Sequence, residues 1–334
     1  MSYKRLDPED FLVSIDSITS TVWSGNTPTL TTFFTSSTAS SNDEYYKNVY
    51  QDSSRTDVEF AISYGDKLGS GSVNFNDLVP YITPTRTVYG QFRNLIYGDE
   101  NTEFNFGGTD SETFWALTVD RARYKEKLLP GTFNISISGS SGDGTIYLTD
   151  NSGMVSTDTY LDCGRVYQII SGSNGTSHDG GTGYSTTQGS FGLFLPDIST
   201  LILNPAAIAY HTGVTPNRTS NSAGDNISLM FEAISGSIAG LGTGFKLNSE
   251  ETLTSDYVFV RARNSELNYS ENPSFISGST GDVLYDSFIN SPQSYVTTVG
   301  LYNDTNELLA VAKLSKPLVK DFTKETLLRV KLDF

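Results

Sequence analysis

The side chains that most often carry acid–base or nucleophilic chemistry are scarce in this sequence: two histidines, His178 and His211, and one cysteine, Cys163. Both histidines stand among Gly, Ser, Thr and Asn residues that read as loops. Cys163 follows Asp162 and has no neighbouring His or Lys to depress its pKa, so a buried, unreactive thiol is expected, and a lone cysteine forms no internal disulfide. The spacings of a zinc protease, a CxxC redox centre, a hydrolase elbow and a P-loop are all missing from the sequence. Gly240-Leu241-Gly242-Thr243-Gly244 looks like a phosphate loop but lacks the preceding strand and the sixth glycine, so it reads as a plain loop. Asp99, Glu100 and Glu103 gather carboxylates without the spacing of a calcium loop, and a glycosidase pair is defined by distances that spacing does not fix. Tyr45, Tyr46 and Tyr50 have faces that stack on sugar rings, although at strand spacing such residues more often serve core or interface. The expectation is a chain with no catalytic residue, no metal and no cofactor.

The elements that would position any site are strands. Asp57–Tyr64 alternates, with Val58, Phe60 and Ile62 on one face and Asp57, Glu59 and Ser63 on the other, which predicts a sheet with one wet face. Asp10 to Val22 has apolar steps that suit helix or strand, and its β-branched Val13, Ile15, Thr19 and Val22 favour strand. Asn74–Val79 reads as a short helix or turn, and Pro80 and Pro84 oppose its continuation. Thr87–Ile96 and Phe114–Val119, on either side of a polar loop, predict a hairpin with a long tip. Short apolar runs at Phe133–Ile137, Thr145–Leu148 and Gly164–Ile170, spaced by Gly, Ser and Asp, point to a sandwich or small barrel rather than βαβ units. Ile227, Met230, Phe231 and Ile234, between Asp225 and a glycine stop at Gly236, make the best helix. The expected fold is mainly β, with antiparallel sandwich or barrel-like domains and few short helices. Three segments are expected: 1–130, 131–250 and 251–334.

With 38 acidic against 22 basic residues the chain carries a formal charge of −16. That charge disfavours nucleic acid and anionic membranes and leaves proteins or sugars as partners. The opening ten residues lack the apolar core of a signal peptide, so synthesis in the cytoplasm without Sec export is expected. Six N-x-[ST] matches, at Asn134, Asn174, Asn217, Asn226, Asn268 and Asn303, follow from a composition rich in Asn, Ser and Thr and carry no functional weight. Charge is uneven: residues 313–334 sum to +3 and the rest to −19. One reading is a solvated face that guards sheet edges; the other is an electrostatic seam between subunits, whose association would weaken as salt rises. Val119-Asp120-Arg121-Ala122-Arg123 and Phe259-Val260-Arg261-Ala262-Arg263 echo one another and would place Arg pairs on two strands.

The last eighty residues are the most regular. Tyr257–Arg263 is a strand, and Tyr295–Tyr302 and Glu307–Leu314 flank an Asn/Asp turn, a strong hairpin signal. Leu328, Val330, Leu332 and Phe334 alternate with Arg329, Lys331 and Asp333, so the segment reads as a strand with four core-facing side chains. Gly300-Leu301-Tyr302-Asn303, then Glu307-Leu308-Leu309-Ala310-Val311-Ala312-Lys313-Leu314-Ser315 and Pro317, resembles a hairpin of tailed-bacteriophage tail-fibre and baseplate proteins that precedes a final alternating strand. Asp120–Asn134 and Phe259–Ser270 are similar to virion structural proteins of contractile-tailed marine phages, including cyanophages. The resemblance implies a non-enzymatic virion component, in tail or baseplate, assembled in multiple copies with other virion proteins and made in the host cytoplasm. A neck protein and a tail-tip receptor module with a host glycan as partner are the alternatives. Its candidate interface is Tyr302, Asn303, Asp304, Lys313, Lys316, Lys320, Lys324, Arg329 and Lys331.

Overall fold

The computed structural model describes residues 4–35, 45–72, 75, 83–140, 142–219, 223–241 and 244–333, without the side chains of 223 and 237–241. Regular structure begins with β1 (Phe11–Thr21), β2 (Thr29–Leu30), β3 (Phe34–Thr35), β4 (Tyr46–Tyr50) and β5 (Val58–Asp66). Helix α1 (Pro84–Tyr97) is followed by the hairpin β6 (Phe104–Phe106) and β7 (Thr109–Ser111), and by β8 (Thr113–Val119). Next come β9 (Lys127–Leu128), β10 (Asn134–Ser138), β11 (Thr145–Asp150), β12 (Thr159–Leu161), β13 (Gly164–Ser173) and β14 (Thr176–Ser177). Then β15 (Gly192–Leu195) and β16 (Thr200–Leu203) precede α2 (Pro205–Thr212), α3 (Ala223–Leu241), β17 (Phe245–Lys246) and β18 (Asn248–Ala262). The one-turn α4 (Ser287–Asn290), β19 (Gln293–Tyr302), β20 (Leu308–Asp321) and β21 (Thr326–Asp333) complete the order. The fold is mainly β with large antiparallel sheets.

The chain divides into two compact units, residues 18–251 and residues 1–17 with 252–334, here the sheet unit and the terminal unit. Both passages between them fall within strands, β1 and β18. The expected border at 130/131 therefore lies inside the sheet unit. A single large sheet takes strands from both sides of that border, so no separate middle domain forms.

That sheet runs β2-β17-β10-β11-β13-β15-β16-β8-β5-β4-β3. Laid flat, ten strand spacings would part its edges by about 48 Å. Yet the edge strands β2 and β3 are neighbours in sequence, and Leu30 to Phe34 spans at most about 14 Å. The sheet has to curl, and it forms a half-barrel: Phe245 of β17 meets Phe60 of β5 at 5.4 Å between ring centroids, and Trp23 lies 4.9 Å from Phe245. Helix α3 packs against β10 on one side and β4 and β5 on the other. Its Ile227, Met230 and Ile234 join Trp115, Leu117, Phe194 and Leu203 in the inner core. On the outer face Phe114, Ala116, Leu193, Leu195 and Ile202 are covered by α1 and the β6–β7 hairpin.

Because both faces are covered, the central strands read as unbroken apolar runs, and the expected wet face of β5 does not exist. Glu59, assigned to that face, is fully buried and accepts hydrogen bonds from the Ser24 backbone N–H (3.1 Å) and hydroxyl. Thr87–Ile96, expected as a strand, lies within α1. Thr83 is extended at the N-cap, Pro84 occupies the first turn where its missing N–H costs nothing, and Gly98 ends the helix at φ 62°. Val88, Phe92 and Ile96 then fall on one stripe towards the sheet, with Tyr89 beside them, 5.1 Å from the Phe104 ring. Helix α3 covers the expected 225–236 and continues past Gly236 to Leu241. Arg121 and Arg123 lie in a 3₁₀ turn, whereas Arg261 is on β18, so the two Arg-Ala-Arg segments are not equivalent. Asn74, residues 76–79, Gly242 and Thr243 lie outside the described residues.

Candidate assembly surface

His211 belongs to the last turn of α2 rather than to a loop. Its Nδ1 is 2.5 Å from Asp143 Oδ2, and the Asp143 N–H donates to the His211 carbonyl, so the pair latches the β10–β11 turn onto the helix end. Burial pushes the half-buried Cys163 thiol up to about 11, which leaves it protonated near neutrality. Asp99 spends its oxygens on the turn it starts, accepting from Asn101 and Thr102, and Glu103 pairs with Lys67. Among the described residues no group of three His, Cys, Asp or Glu is placed to hold a metal ion. A cavity lined by Asn151, Val155, Thr159, Val166, Tyr167 and Gln168 has about 60 Å³, room for a water or two rather than a sugar ring. No described helix is long and apolar enough to cross a membrane.

The terminal unit contrasts with this well-packed unit. Its only fully buried apolar side chains among the described residues are Val258, Ala262 and Val330, while the half-barrel holds all the others. Its strands follow the order β1-β18-β21, and β19–β20 form a separate two-stranded hairpin. In the first, Val258 pairs with Val330 and Val260 with Leu328, and the opposite face sets Arg329 and Lys331 over the Tyr257 ring at 5.4 and 5.8 Å. Along β1 the side chains of Phe11, Leu12, Val13 and Ile15 are all exposed, Ile15 at 70%. In the hairpin Tyr295, Tyr302, Leu308, Leu309 and Val311 are exposed too. A two-stranded sheet is marginal by itself in water, and apolar side chains on both faces of edge strands are what a monomer avoids.

The residues expected at an interface divide into four groups. Lys313 and Lys316 stand exposed on β20, and Tyr302 and Asp304 are exposed near the hairpin tip. Asn303 shapes that tip: its Oδ1 accepts from the Thr305 N–H (3.1 Å) and hydroxyl (2.7 Å) and the Glu307 N–H (2.8 Å). Lys324 pairs with Asp321, Lys331 with Asp333, and Arg329 with the Tyr257 ring. Lys320 is a correction, because it is fully buried and donates to the Asn264 carbonyl (3.1 Å), Asn268 Oδ1 (2.9 Å) and the Asp321 carbonyl (2.9 Å). The basic residues thus split between edges and internal contacts rather than forming one seam. The terminal strand is also less buried than expected: Val330 is enclosed, Leu328 and Leu332 are half-buried, and Phe334 lies outside the described residues.

Sequence reading passed over β1 as a surface. The signal was present: eleven residues with one charge, Asp16, and no Pro, Lys or Arg. Tyr45 and Tyr46 are exposed as well, with rings 5.2 Å apart at 62°. Comparison with protein-family models, curated proteins and solved structures finds no match for this chain.

Proposed function

We propose that this chain is a non-enzymatic structural component of a phage virion, in the tail or baseplate, acting through protein–protein interfaces in its terminal unit. The observation that carries the reading is the placement of apolar side chains. Among its described residues the unit encloses three small ones and exposes Phe11, Val13, Ile15, Tyr295, Leu309 and others on strand edges. Such a surface is completed by another protein surface. The resemblance of the Tyr295–Phe334 segment to baseplate and tail-fibre hairpins gives the kind of assembly. A glycan-binding reading would rest on Tyr45 and Tyr46, whose tilted rings make an edge rather than a flat stacking platform.

Immunogold labelling of particles purified from a lysate containing this chain tests the reading. Gold at the distal tail is expected. Gold at the head–tail junction would transfer the protein to the neck, and unlabelled particles, with an antibody shown to bind the native chain, would overturn the virion role.

A further inference from the structure

The terminal unit has four open strand edges, and they are not alike. Among the described residues β20 and β21 each have one strand neighbour, and their sequences carry the devices that keep edges unpaired: Lys313, Lys316 and Pro317 on β20, Arg329 and Lys331 on β21. The other two edges, β1 and β19, also have one neighbour each, yet β19 has no charged residue over its ten positions and β1 has only Asp16 over eleven. Two edges thus carry charge or Pro and two of similar length carry almost none, although the β19–β20 ladder is irregular at Val296/Thr298 and Leu301/Tyr302.

We propose that β1 of one copy of this chain pairs with β19 of the next, joining copies head to tail through the terminal unit. The inference rests on the reading of that unit as an assembly surface and names its partner. Charge supports a second copy: a chain at −16 approaches another of its kind most easily where it has almost no charge, and β1 and β19 together hold a single carboxylate. A foreign partner selected by this acidic chain would instead be met by a charged surface.

Self-pairing of β1 is disfavoured, since full antiparallel overlap of Phe11–Thr21 with itself sets Asp16 opposite Asp16. Pairing β19 with itself would leave β1 bare, whereas a β1–β19 contact occupies both edges with one interface. Phe11, Leu12, Val13 and Ile15 of β1, 51–70% exposed, would flank Tyr295 and Tyr302 of β19 across the joint. A heterologous contact of this kind closes into a ring or continues as a filament.

The test is the mass of the full chain by sedimentation and native mass spectrometry, in low and high salt. Wild type should run as a multiple of 36.4 kDa in both, since backbone pairing and apolar contact resist screening. Two variants at exposed positions, Val13→Lys with Ile15→Lys on β1 and Thr297→Lys on β19, should each be monomeric with unchanged circular dichroism. An equimolar mixture of the two should form a dimer and nothing larger, because one intact β1 and one intact β19 remain. A monomeric wild type, an assembly that survives either variant, or a mixture that stays monomeric would overturn the proposal. Gold-labelled particles with a monomeric chain would sink this inference and leave the virion reading, while complementing variants with unlabelled particles would do the reverse.

Discussion

Phe245→Ala removes the side chain that joins the two ends of the half-barrel. Phe245 is fully buried, with ring centroids 4.9 Å from Trp23, 5.4 Å from Phe60 and 5.9 Å from Phe133. Trp23 lies in the turn after β1, Phe60 on β5 and Phe133 immediately before β10, so one ring spans elements from both ends of the strand order. Deleting a buried Phe costs about 3–5 kcal/mol, and three aromatic contacts place this site near the upper half of that range. For a unit of this size each kcal/mol lowers the melting temperature by roughly 2–4 °C, so a drop on the order of 8–20 °C is expected by calorimetry. Loss of burial alone would give a similar figure anywhere in the core, so a double-mutant cycle decides the matter. Phe60→Leu and Phe245→Leu should couple by about 0.5–1.5 kcal/mol, whereas Phe60→Leu and Phe106→Leu, on opposite faces of the sheet, should be additive. Zero coupling between Phe60 and Phe245 would mean that the sheet ends do not meet, and the curled architecture would be refuted.

Three further outcomes are expected. Burial raises the Glu59 carboxyl above its ordinary range despite the bonds from Ser24, so its stabilising contribution is full below the unfolded pKa and is lost as pH rises through the folded one. Urea midpoints of wild type should therefore decline relative to Glu59→Gln as pH rises above the ordinary glutamate range, and a constant difference would show that the site does not titrate with folding. Lys320→Met leaves three oxygen acceptors without their donor, at about 1–3 kcal/mol, and should speed hydrogen exchange across residues 263–292; unchanged exchange would remove Lys320 as the anchor of that segment. Deleting Leu328–Asp333 withdraws one buried and two half-buried apolar side chains, roughly 4 kcal/mol in all, and should unfold the terminal unit. Limited proteolysis should then leave residues 18–251 resistant, and digestion of that core would show that the two units do not fold independently.

Periodicity read well where a strand has one wet face or a tight turn. The β19–β20 hairpin was legible because Asn303 and its neighbours mark the turn, and β10, β11 and β13 because Gly and Ser clusters separate them. The half-barrel was not legible. Its closure depends on β2 and β17, two residues each, which carry too little sequence to register as strands. Helix α1 is hard to read because Pro84 marks a stop for any helix before it as well as a start after Thr83, and because β-branched Thr87 and Val88 mimic a strand. Glu59 was placed in water because a carboxylate on an alternating strand usually faces solvent, and only the turn at Ser24 reveals its partner. As for the candidate surface, basic residues drew attention to β20 and β21, while the uncharged edges β1 and β19 are defined by what they lack.

The terminal unit is discontinuous, and this has a consequence in time. Strand β1 leaves the ribosome first, but β18, its neighbour in the sheet, follows only after residues 22–247 have been made. At 5–20 residues per second that delay is roughly 10–45 s. Joining ends so far apart in a flexible chain would cost about 5 kcal/mol of closure entropy. Folding of the half-barrel meets that cost beforehand, because it brings Ser20 and Ser249 to within a 3.3 Å hydrogen bond. Strand β19 is synthesised later still. The bare edge of β1 is therefore displayed during synthesis for far longer than that of β19.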